Sequence, residues 1–141
     1  MWRNFPWVWN EHWSFKNMVL IGDALHSAHF SIGSGTRLAI EDAIALVKAL
    51  ESDAHLTTAL HRYQAARKPV VQKLVNAART SAFWYEHFAQ HMQLGLMDFA
   101  YSYITRSGRI DDARLRHMSP TFMAQYEATK NGGDADGEAT A

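Results

Sequence analysis

The chain has 141 residues, which is enough for one small domain. Its 14 basic and 14 acidic residues balance to zero net charge, which argues against nucleic acid or an anionic membrane surface as the main partner. The absence of cysteine excludes disulfides and thiolate metal sites, and no apolar run approaches the roughly 20 residues that a membrane span needs. We therefore expect a soluble, cytoplasmic protein.

Aromatic residues dominate the start of the chain, where residues 2–13 contain four of the five tryptophans. Phe5, Trp7 and Trp9 occupy alternate positions, which predicts a short strand with one aromatic face. The favoured interpretation is that these rings fill a core or an interface. The alternative is an aromatic wall for a ring-shaped substrate.

A short apolar segment then ends in a glycine and an aspartate. Residues 18–21 are four consecutive hydrophobic residues bounded by Gly22, which predicts a strand buried on both faces of a sheet. The carboxyl end of such a strand, followed by a glycine loop and a helix, is where α/β sheets bind cofactors. Gly22 leaves room for a ligand to approach, and the Asp23 carboxylate can accept hydrogen bonds from ligand hydroxyls.

The loop after Asp23 leads into an apolar helix. Gly33 and Gly35 allow backbone conformations that point N–H groups outward, and Ser34 is a candidate cap for a helix that begins near Thr36. The helix N-terminus brings a partial positive charge to the same place. A carboxylate for a polyol and a helix end for an electron-rich ring together predict a site for something like a flavin.

The predicted helix, from about residue 36 to residue 50, is apolar on nearly every side, so we expect it to be buried between other layers. Arg37, Glu41 and Lys48 form its polar stripe, in which Arg37 and Glu41 are four apart and able to pair. Asp42 falls inside the apolar zone, where an unpaired carboxylate is costly to bury. We interpret Asp42 as a structural hydrogen-bonding hub rather than as a catalytic base.

Apolar residues continue to recur at intervals of three and four up to about residue 92, which predicts further helix. Pro69 interrupts this pattern, and we favour two helical pieces that meet there over one kinked helix. The last residues are small, polar and acidic, which predicts disorder. The predicted divisions are residues 1–52, which hold the strand, loop and helix, a helical segment at 53–128, and a disordered tail at 129–141.

Four histidines were considered as metal ligands. His87 and His91 are four apart, but two ligands on one helix face are too few for zinc, so no metal site is predicted. His26 and His29 are likewise interpreted as loop residues rather than as ligands. No residue of the chain is identified as a catalytic acid or base.

Two arginines surround a flexible turn near the end of the chain. Arg106 and Arg109 flank Gly108, and guanidinium groups in that arrangement suit phosphate recognition. The simpler interpretation, which we favour, is that they are solvated charges that pair with Asp111 and Asp112.

Residues 22–50 resemble the second FAD-binding motif of the single-component flavoprotein aromatic hydroxylases, which runs roughly G-D-A-x-H, a proline, G-x-G and A-x-E-D-A. The matching positions are Gly22, Asp23, Ala24, His26, Gly33, Gly35, Ala39, Glu41, Asp42 and Ala43. The chain departs from the pattern at Phe30, where most members carry proline, and at Arg37, where asparagine is common.

The resemblance implies FAD as cofactor and NAD(P)H as reductant. In that family the aspartate that matches Asp23 holds the ribityl chain, and the G-x-G turn and helix end lie against the flavin pyrimidine edge. The residues that the resemblance assigns to FAD are Gly22, Asp23, Gly33, Ser34, Gly35 and Thr36.

Residues 29–36, H-F-S-I-G-S-G-T, resemble a narrower branch that contains salicylyl-CoA 5-hydroxylase and 2-aminobenzoyl-CoA monooxygenase. Residues 105–111, T-R-S-G-R-I-D, strengthen this match. The branch implies hydroxylation of an aromatic acyl-CoA thioester, with O2 as co-substrate. It would also give Arg106 and Arg109 a natural partner in a nucleotide phosphate of the substrate.

The chain lacks the G-x-G-x-x-G turn with which this family holds the FAD pyrophosphate. We therefore interpret it as the carboxy-terminal portion of a longer monooxygenase, whose partner is the missing amino-terminal FAD-binding half. The expected fold is an α/β fragment, with one or two strands from the edge of a flavin-binding sheet followed by mostly helix. The alternatives are a truncated and inactive remnant, a helical interaction module, or one subunit of a split monooxygenase.

Overall fold

The computed structural model describes residues 5–133 and divides the chain into two compact units, unit 1 (Met1–Arg79) and unit 2 (Thr80–Ala141). Its elements are two strands, two short 3₁₀ turns and six helices: β1 (Ser14–Phe15), β2 (Met18–Val19), the turns Gly22–Ala24 and Phe30–Ile32, α1 (Gly35–Ser52), α2 (Leu56–Glu86), α3 (Phe88–His91), α4 (Leu96–Thr105), α5 (Asp112–Met118) and α6 (Pro120–Gly133). Two strands followed by helices agree with the predicted order.

The strands β1 and β2 form an antiparallel hairpin, in which Ser14 lies opposite Val19. The prediction that this segment is buried on both faces is wrong, because Met18 is 61% exposed and Ile21 is 40% exposed. A strand is buried on both faces only where a layer covers each face of its sheet, and the described residues supply no such pair of layers.

The aromatic residues before β1 form less strand than their alternation predicts. Among residues 5–13, only Trp9 makes a bridge, with His26, and the N–H groups of Asn10 and Ser27 extend this pairing to the carbonyls of Leu25 and Val8. Trp2 lies outside the described residues.

The core of unit 1 lies between the hairpin, α1 and the first half of α2. Its buried side chains are Trp13, Leu25, Leu38, Ala49, Tyr63, Val71, Leu74 and Val75. Because this half of α2 packs into the same core as α1, the compact unit extends to Arg79. The division after residue 52 stays a prediction.

Helix α1 is buried on one face only. Leu38, Asp42 and Ala49 are buried, while Ile40 and Val47 are 56% and 52% exposed on the other side, where Ile44 is also exposed. The expectation of a helix buried all round is therefore wrong. Side-chain polarity does not predict which face of α1 is buried, because the exposed face is as apolar as the buried one.

Helix α2 is one continuous helix of 31 residues that contains Pro69. The predicted interruption is wrong. Proline removes one backbone hydrogen bond and crowds the carbonyl four residues before it, which here belongs to Ala65. Ala65 and Pro69 are both exposed, so solvent can reach that carbonyl and the helix continues through the proline.

Unit 2 is organised around Trp84, which is 6% exposed. The Trp84 ring stacks on His91 at 4.5 Å and lies 5.9 Å from Phe99, and its indole N–H donates to Ser102 Oγ at 3.3 Å. Helix α6 continues to Gly133, so residues 129–133 are helical, and the remainder of the predicted disordered tail lies outside the described residues. Within residues 5–133, no helix is long and apolar enough to cross a membrane.

Candidate functional site

The turn after β2 is held close to α1 by a glycine. Gly22 is buried and has φ +60°, and a Cβ atom there would lie 3.2 Å from Ala39 Cβ. The N–H groups of Leu25 and His26 both donate to the Gly22 carbonyl, which closes the turn. The missing side chain of Gly22 thus makes room for α1, whereas the sequence suggested room for a ligand.

Asp23 lies on the outside of this turn and is exposed. Its carboxylate has no hydrogen bond or ion pair with any other residue in the described part of the chain. It lines two neighbouring cavities, which share Asp23, Ala28 and Phe30. An exposed carboxylate at a cavity wall is free to accept hydrogen bonds from a ligand.

The first cavity, which we call the glycine cavity, has a volume of about 500 Å³. It is lined by Asp23, Ala28, Phe30, Gly33, Gly35, Thr36 and Ala39. A Cβ atom at Gly33 or Gly35 would meet nothing within 4 Å, so this wall of the cavity is bare backbone. The predicted loop glycines, Thr36 and Asp23 are therefore brought together, while Gly22 and Ser34 are not among the lining residues.

Helix α1 presents its N-terminus to the glycine cavity. Ser34 occupies the N-cap position, but its hydroxyl donates to the Ile32 carbonyl at 3.3 Å and does not cap the helix. The predicted side-chain cap is therefore wrong, although the helix begins where it was expected. The first N–H groups of a helix have no partner within it, so those of Gly35 and Thr36 remain available to an electron-rich ligand group.

The second cavity, which we call the aromatic cavity, has a volume of about 260 Å³. Its rings contact one another: His29 stacks on Phe30 at 4.2 Å and on Trp7 at 5.9 Å, and Phe5 meets Phe30 edge-on at 5.9 Å. Phe30, at the position where the family carries proline, is 72% exposed. The first tryptophans of the chain are thus divided between core, at Trp13, and cavity wall, at Trp7.

The prediction that Asp42 is a hydrogen-bonding hub is confirmed. Asp42 is fully buried, and its Oδ2 accepts from His26 Nε2 at 2.7 Å and from the Gly22 N–H at 3.3 Å. Its Oδ1 accepts from Arg67 Nε at 3.0 Å. Burial opposes ionisation, but the hydrogen bonds from His26 and Arg67 outweigh it and hold the pKa of Asp42 below its usual value.

Arg67 is the member of this network that sequence reasoning missed. It is 8% exposed, and its Nη1 also donates to Glu41 Oε2 at 3.1 Å. Glu41 pairs with Arg37 as well, at 3.4 Å, as predicted. A signal for Arg67 existed, because it lies four residues from the buried Tyr63 on the apolar face of α2 and a buried carboxylate needs a cation.

The arginines predicted to contact substrate belong to unit 2. The Arg106 guanidinium lies 4.1 Å from the Tyr103 ring centre and donates to the Tyr103 carbonyl, and Arg109 is exposed. Asp111 caps α5 by accepting from the Arg114 N–H, and Asp112 accepts from the Tyr101 hydroxyl.

The histidines of α2 and α3 contact aromatic rings. His87 lies 4.0 Å from the Phe83 ring and donates to the Phe83 carbonyl, while His91 stacks on Trp84. Among residues 5–133, no three histidine, aspartate or glutamate side chains are grouped so that they could hold a metal ion.

A free carboxylate at the end of a strand, a bare glycine turn and an open helix N-terminus define the site of an α/β cofactor-binding protein. The model of the family described as "FAD binding domain" matches residues 8–78, which include this whole site. The chain belongs to that family. Its two strands therefore come from a Rossmann-like FAD-binding fold.

The chain is similar to part of three curated enzymes whose names describe a hydroxylase or a monooxygenase. It is 41% identical to salicyloyl-CoA 5-hydroxylase from a Streptomyces species, over 90% of the chain and 26% of the relative. It is 44% identical to 3-hydroxy-4-methyl-anthranilyl-[aryl-carrier protein] 5-monooxygenase from Streptosporangium sibiricum, over 77% of the chain and 30% of the relative. Protodeoxyviolaceinate monooxygenase from Chromobacterium violaceum is 36% identical over 84% of the chain and 30% of its own length. The chain thus spans about a quarter to a third of these relatives.

The geometry of the site fits FAD. The unpaired Asp23 carboxylate suits the hydroxyls of a ribityl chain, and the bare backbone from Gly33 to Gly35 lets a flat ring approach the α1 N-terminus. Neither feature is needed for the packing of unit 1, because neither Asp23 nor these glycines belongs to its core.

Proposed function

We propose that the protein that carries this chain is an FAD-dependent aromatic-ring monooxygenase, and that this chain supplies one side of its flavin site. The observation that carries the proposal is the free carboxylate of Asp23 at the wall it shares with Gly33, Gly35 and Thr36. FAD, when bound, supplies the redox chemistry with NAD(P)H and O2. Asp23 accepts hydrogen bonds from the ribityl hydroxyls, and the N–H groups at the start of α1 stabilise negative charge on the ring.

Removal of the Asp23 carboxylate tests this role. In the full-length protein we expect Asp23→Ala to weaken FAD binding by roughly tenfold or more, since hydrogen bonds to a charged group are lost. Glu51→Ala is the matched control, because Glu51 is an exposed carboxylate on α1 that lines neither cavity. Unchanged FAD retention in Asp23→Ala would refute the assignment.

The substrate we propose is an aromatic acid carried as a thioester, most simply as an aryl-CoA such as salicylyl-CoA. Two relatives are named for substrates of this kind, one bound to CoA and one to an aryl-carrier protein. The full-length protein would be assayed with salicylyl-CoA, the carrier-bound acid and free salicylate. We expect kcat/KM to be highest for the CoA thioester, and a preference for either alternative contradicts the narrower claim.

The aromatic cavity is the proposed position of the substrate ring. Its volume of about 260 Å³ suits a ring better than a complete thioester, and Phe30 and His29 offer faces for stacking. We expect Phe30→Leu to raise the KM for the aromatic substrate several-fold. Phe15→Leu is the control, since Phe15 is 64% exposed but lines neither cavity, and equal effects of the two changes would argue against the position.

Arg106 and Arg109 remain proposed contacts for the phosphates of the CoA group. Guanidinium groups bind phosphate through paired hydrogen bonds, and Arg109 is exposed. We expect Arg109→Gln to raise the KM for the CoA thioester without changing that for a thioester that lacks the nucleotide. An equal change for both substrates would remove the phosphate role.

A further inference from the structure

We propose that Asp42 is a positioning residue for the flavin: it fixes the turn from which Asp23 reaches the ligand. This inference rests on the proposed function of Asp23 and adds a residue that does not line either cavity itself. Asp42 lies on α1, 19 positions after Asp23, and acts through the backbone and side chain on either side of it.

The contacts of Asp42 Oδ2 surround Asp23 in sequence. The Gly22 N–H, immediately before Asp23, donates to this oxygen at 3.3 Å, and His26 Nε2, three residues after it, donates at 2.7 Å. One oxygen atom therefore holds both ends of the turn. Glycine adopts the φ of +60° seen at Gly22 without strain, but it adopts other conformations as readily, so the hydrogen bond to Asp42 fixes the one that the turn uses.

The other oxygen connects the turn to the core of unit 1. Asp42 Oδ1 accepts from Arg67 Nε at 3.0 Å, and both side chains are buried. The charge of Arg67 keeps Asp42 ionised, and an ionised carboxylate accepts stronger hydrogen bonds from the turn than a neutral amide would. Asp23, by contrast, has no hydrogen bond or ion pair of its side chain in the described part of the chain, so the turn sets its position.

A double-mutant cycle in the full-length protein tests whether Asp42 acts through Asp23. We expect Asp42→Asn, which keeps the shape and removes the charge, to weaken FAD binding about tenfold. In the Asp23→Ala background, the same change should weaken it no further, because the positioned group is already gone. A purely supporting role for Asp42 predicts losses that add, and additive losses overturn the proposal.

The design separates this inference from the proposed function. If Asp23→Ala alone leaves FAD binding unchanged, the flavin role of Asp23 fails. If Asp23→Ala weakens binding and the two changes add, only the role of Asp42 fails. Glu41→Gln is the matched control, because Glu41 binds the same arginine without touching the turn, and a tenfold loss in this variant would also overturn the positioning role.

A second pair of variants keeps the test decisive if Asp42→Asn does not fold. His26→Ala removes one anchor of the turn, while His26→Gln keeps an N–H that can donate to Asp42. We expect His26→Ala to weaken FAD binding and His26→Gln to restore most of it, with FAD affinity measured by flavin fluorescence at matched thermal stability. Equal affinity in the two variants overturns the proposal.

Discussion

Unit 1 and unit 2 place their charged side chains differently. In unit 1, Asp42 and Arg67 are buried together and hold a turn on the outside of the unit. In unit 2, the ion pairs lie at the surface, as in Arg116 with Glu127 at 2.7 Å, where both side chains are about half exposed. The interior is centred instead on the buried Trp84, which contacts the partly exposed rings of Phe99 and Tyr103.

The comparison suggests where a buried charge is useful. Aromatic packing stabilises unit 2 without a buried ion pair among its described residues, and surface ion pairs add little to its stability. A buried carboxylate fixes the direction of each group that donates to it, at the risk of a large loss when one partner is removed. That arrangement occurs beside the one turn whose exposed carboxylate we assign to the flavin.

The largest effect is expected from breaking the buried pair. Asp42→Ala removes the buried partner of Arg67 and leaves it only the partly exposed Glu41, and we expect a loss of about 3 to 5 kcal/mol in the free energy of unfolding. Glu41→Ala, on the same helix, should lose at most about 1 kcal/mol because Glu41 is partly exposed. Urea denaturation of both variants measures the difference, and similar losses would show that burial does not distinguish the two carboxylates.

A somewhat smaller effect is expected at the centre of unit 2. Trp84→Ala removes a buried ring that contacts His91 and Phe99, and we expect a loss of about 3 kcal/mol. The same denaturation experiment measures this loss, and a loss no larger than that of a surface substitution would contradict the central place of Trp84 in unit 2.

The pH dependence of stability sharpens the same contrast. The folded-state pKa of Asp42 is lowered because hydrogen bonds from His26 and Arg67 outweigh the effect of burial. The contribution of ionised Asp42 to the free energy of unfolding is therefore complete above about pH 4, and it is lost as the pH falls through the folded-state pKa. We expect acid to destabilise the wild type more than Asp42→Asn, as measured by thermal unfolding at a series of pH values.

In unit 2, a raised pKa predicts a loss of stability at high pH rather than at low pH. The hydrogen bond to Asp112 raises the pKa of Tyr101 to about 12. Any contribution of this hydrogen bond to the free energy of unfolding is present below about pH 10, and it is lost as the pH rises through the folded-state pKa of Tyr101. Tyr101→Phe is the matched variant, and a titration of tyrosinate absorbance should lose a transition near pH 12 in it.

The smallest effect concerns the two turn glycines. Gly22 and Gly33 both have φ +60°, but only at Gly22 would a Cβ meet another residue, Ala39 at 3.2 Å. We expect Gly22→Ala to lose about 2 kcal/mol and Gly33→Ala about 1 kcal/mol, the latter from backbone conformation alone. Equal losses in thermal unfolding would mean that the contact with Ala39 relaxes without cost.

The sequence predicted the turn at Asp23 and the glycine loop better than the fold around them. Asp23, Gly33 and Gly35 were predictable because a strand end, two glycines and a helix start lie close together in the chain. The hub role of Asp42 followed from its place in an apolar helix face. Arg67 was missed because it lies 25 residues further on, and local patterns do not pair such distant positions.

The remaining errors have physical causes. The hydrophobic runs in β2 and α1 predicted full burial, but a run of apolar residues does not reveal whether a neighbouring layer covers each face. Pro69 predicted a break, but its cost depends on whether the freed carbonyl of Ala65 can reach solvent. The ring cluster of the aromatic cavity joins residues near position 5 with residues near position 30, which no periodic pattern connects.

The outward ridge of α1, formed by Ile40, Ile44 and Val47, has a practical consequence at the bench. We expect the isolated chain, with this exposed apolar ridge, to adsorb to plastic and phenyl resins and to self-associate as its concentration rises. A mild non-ionic detergent, or the exchange Ile44→Lys, should keep the sample dispersed. Since Ile44 is half exposed while Asp42 is buried, that exchange should leave the turn at Asp23 intact for spectroscopy.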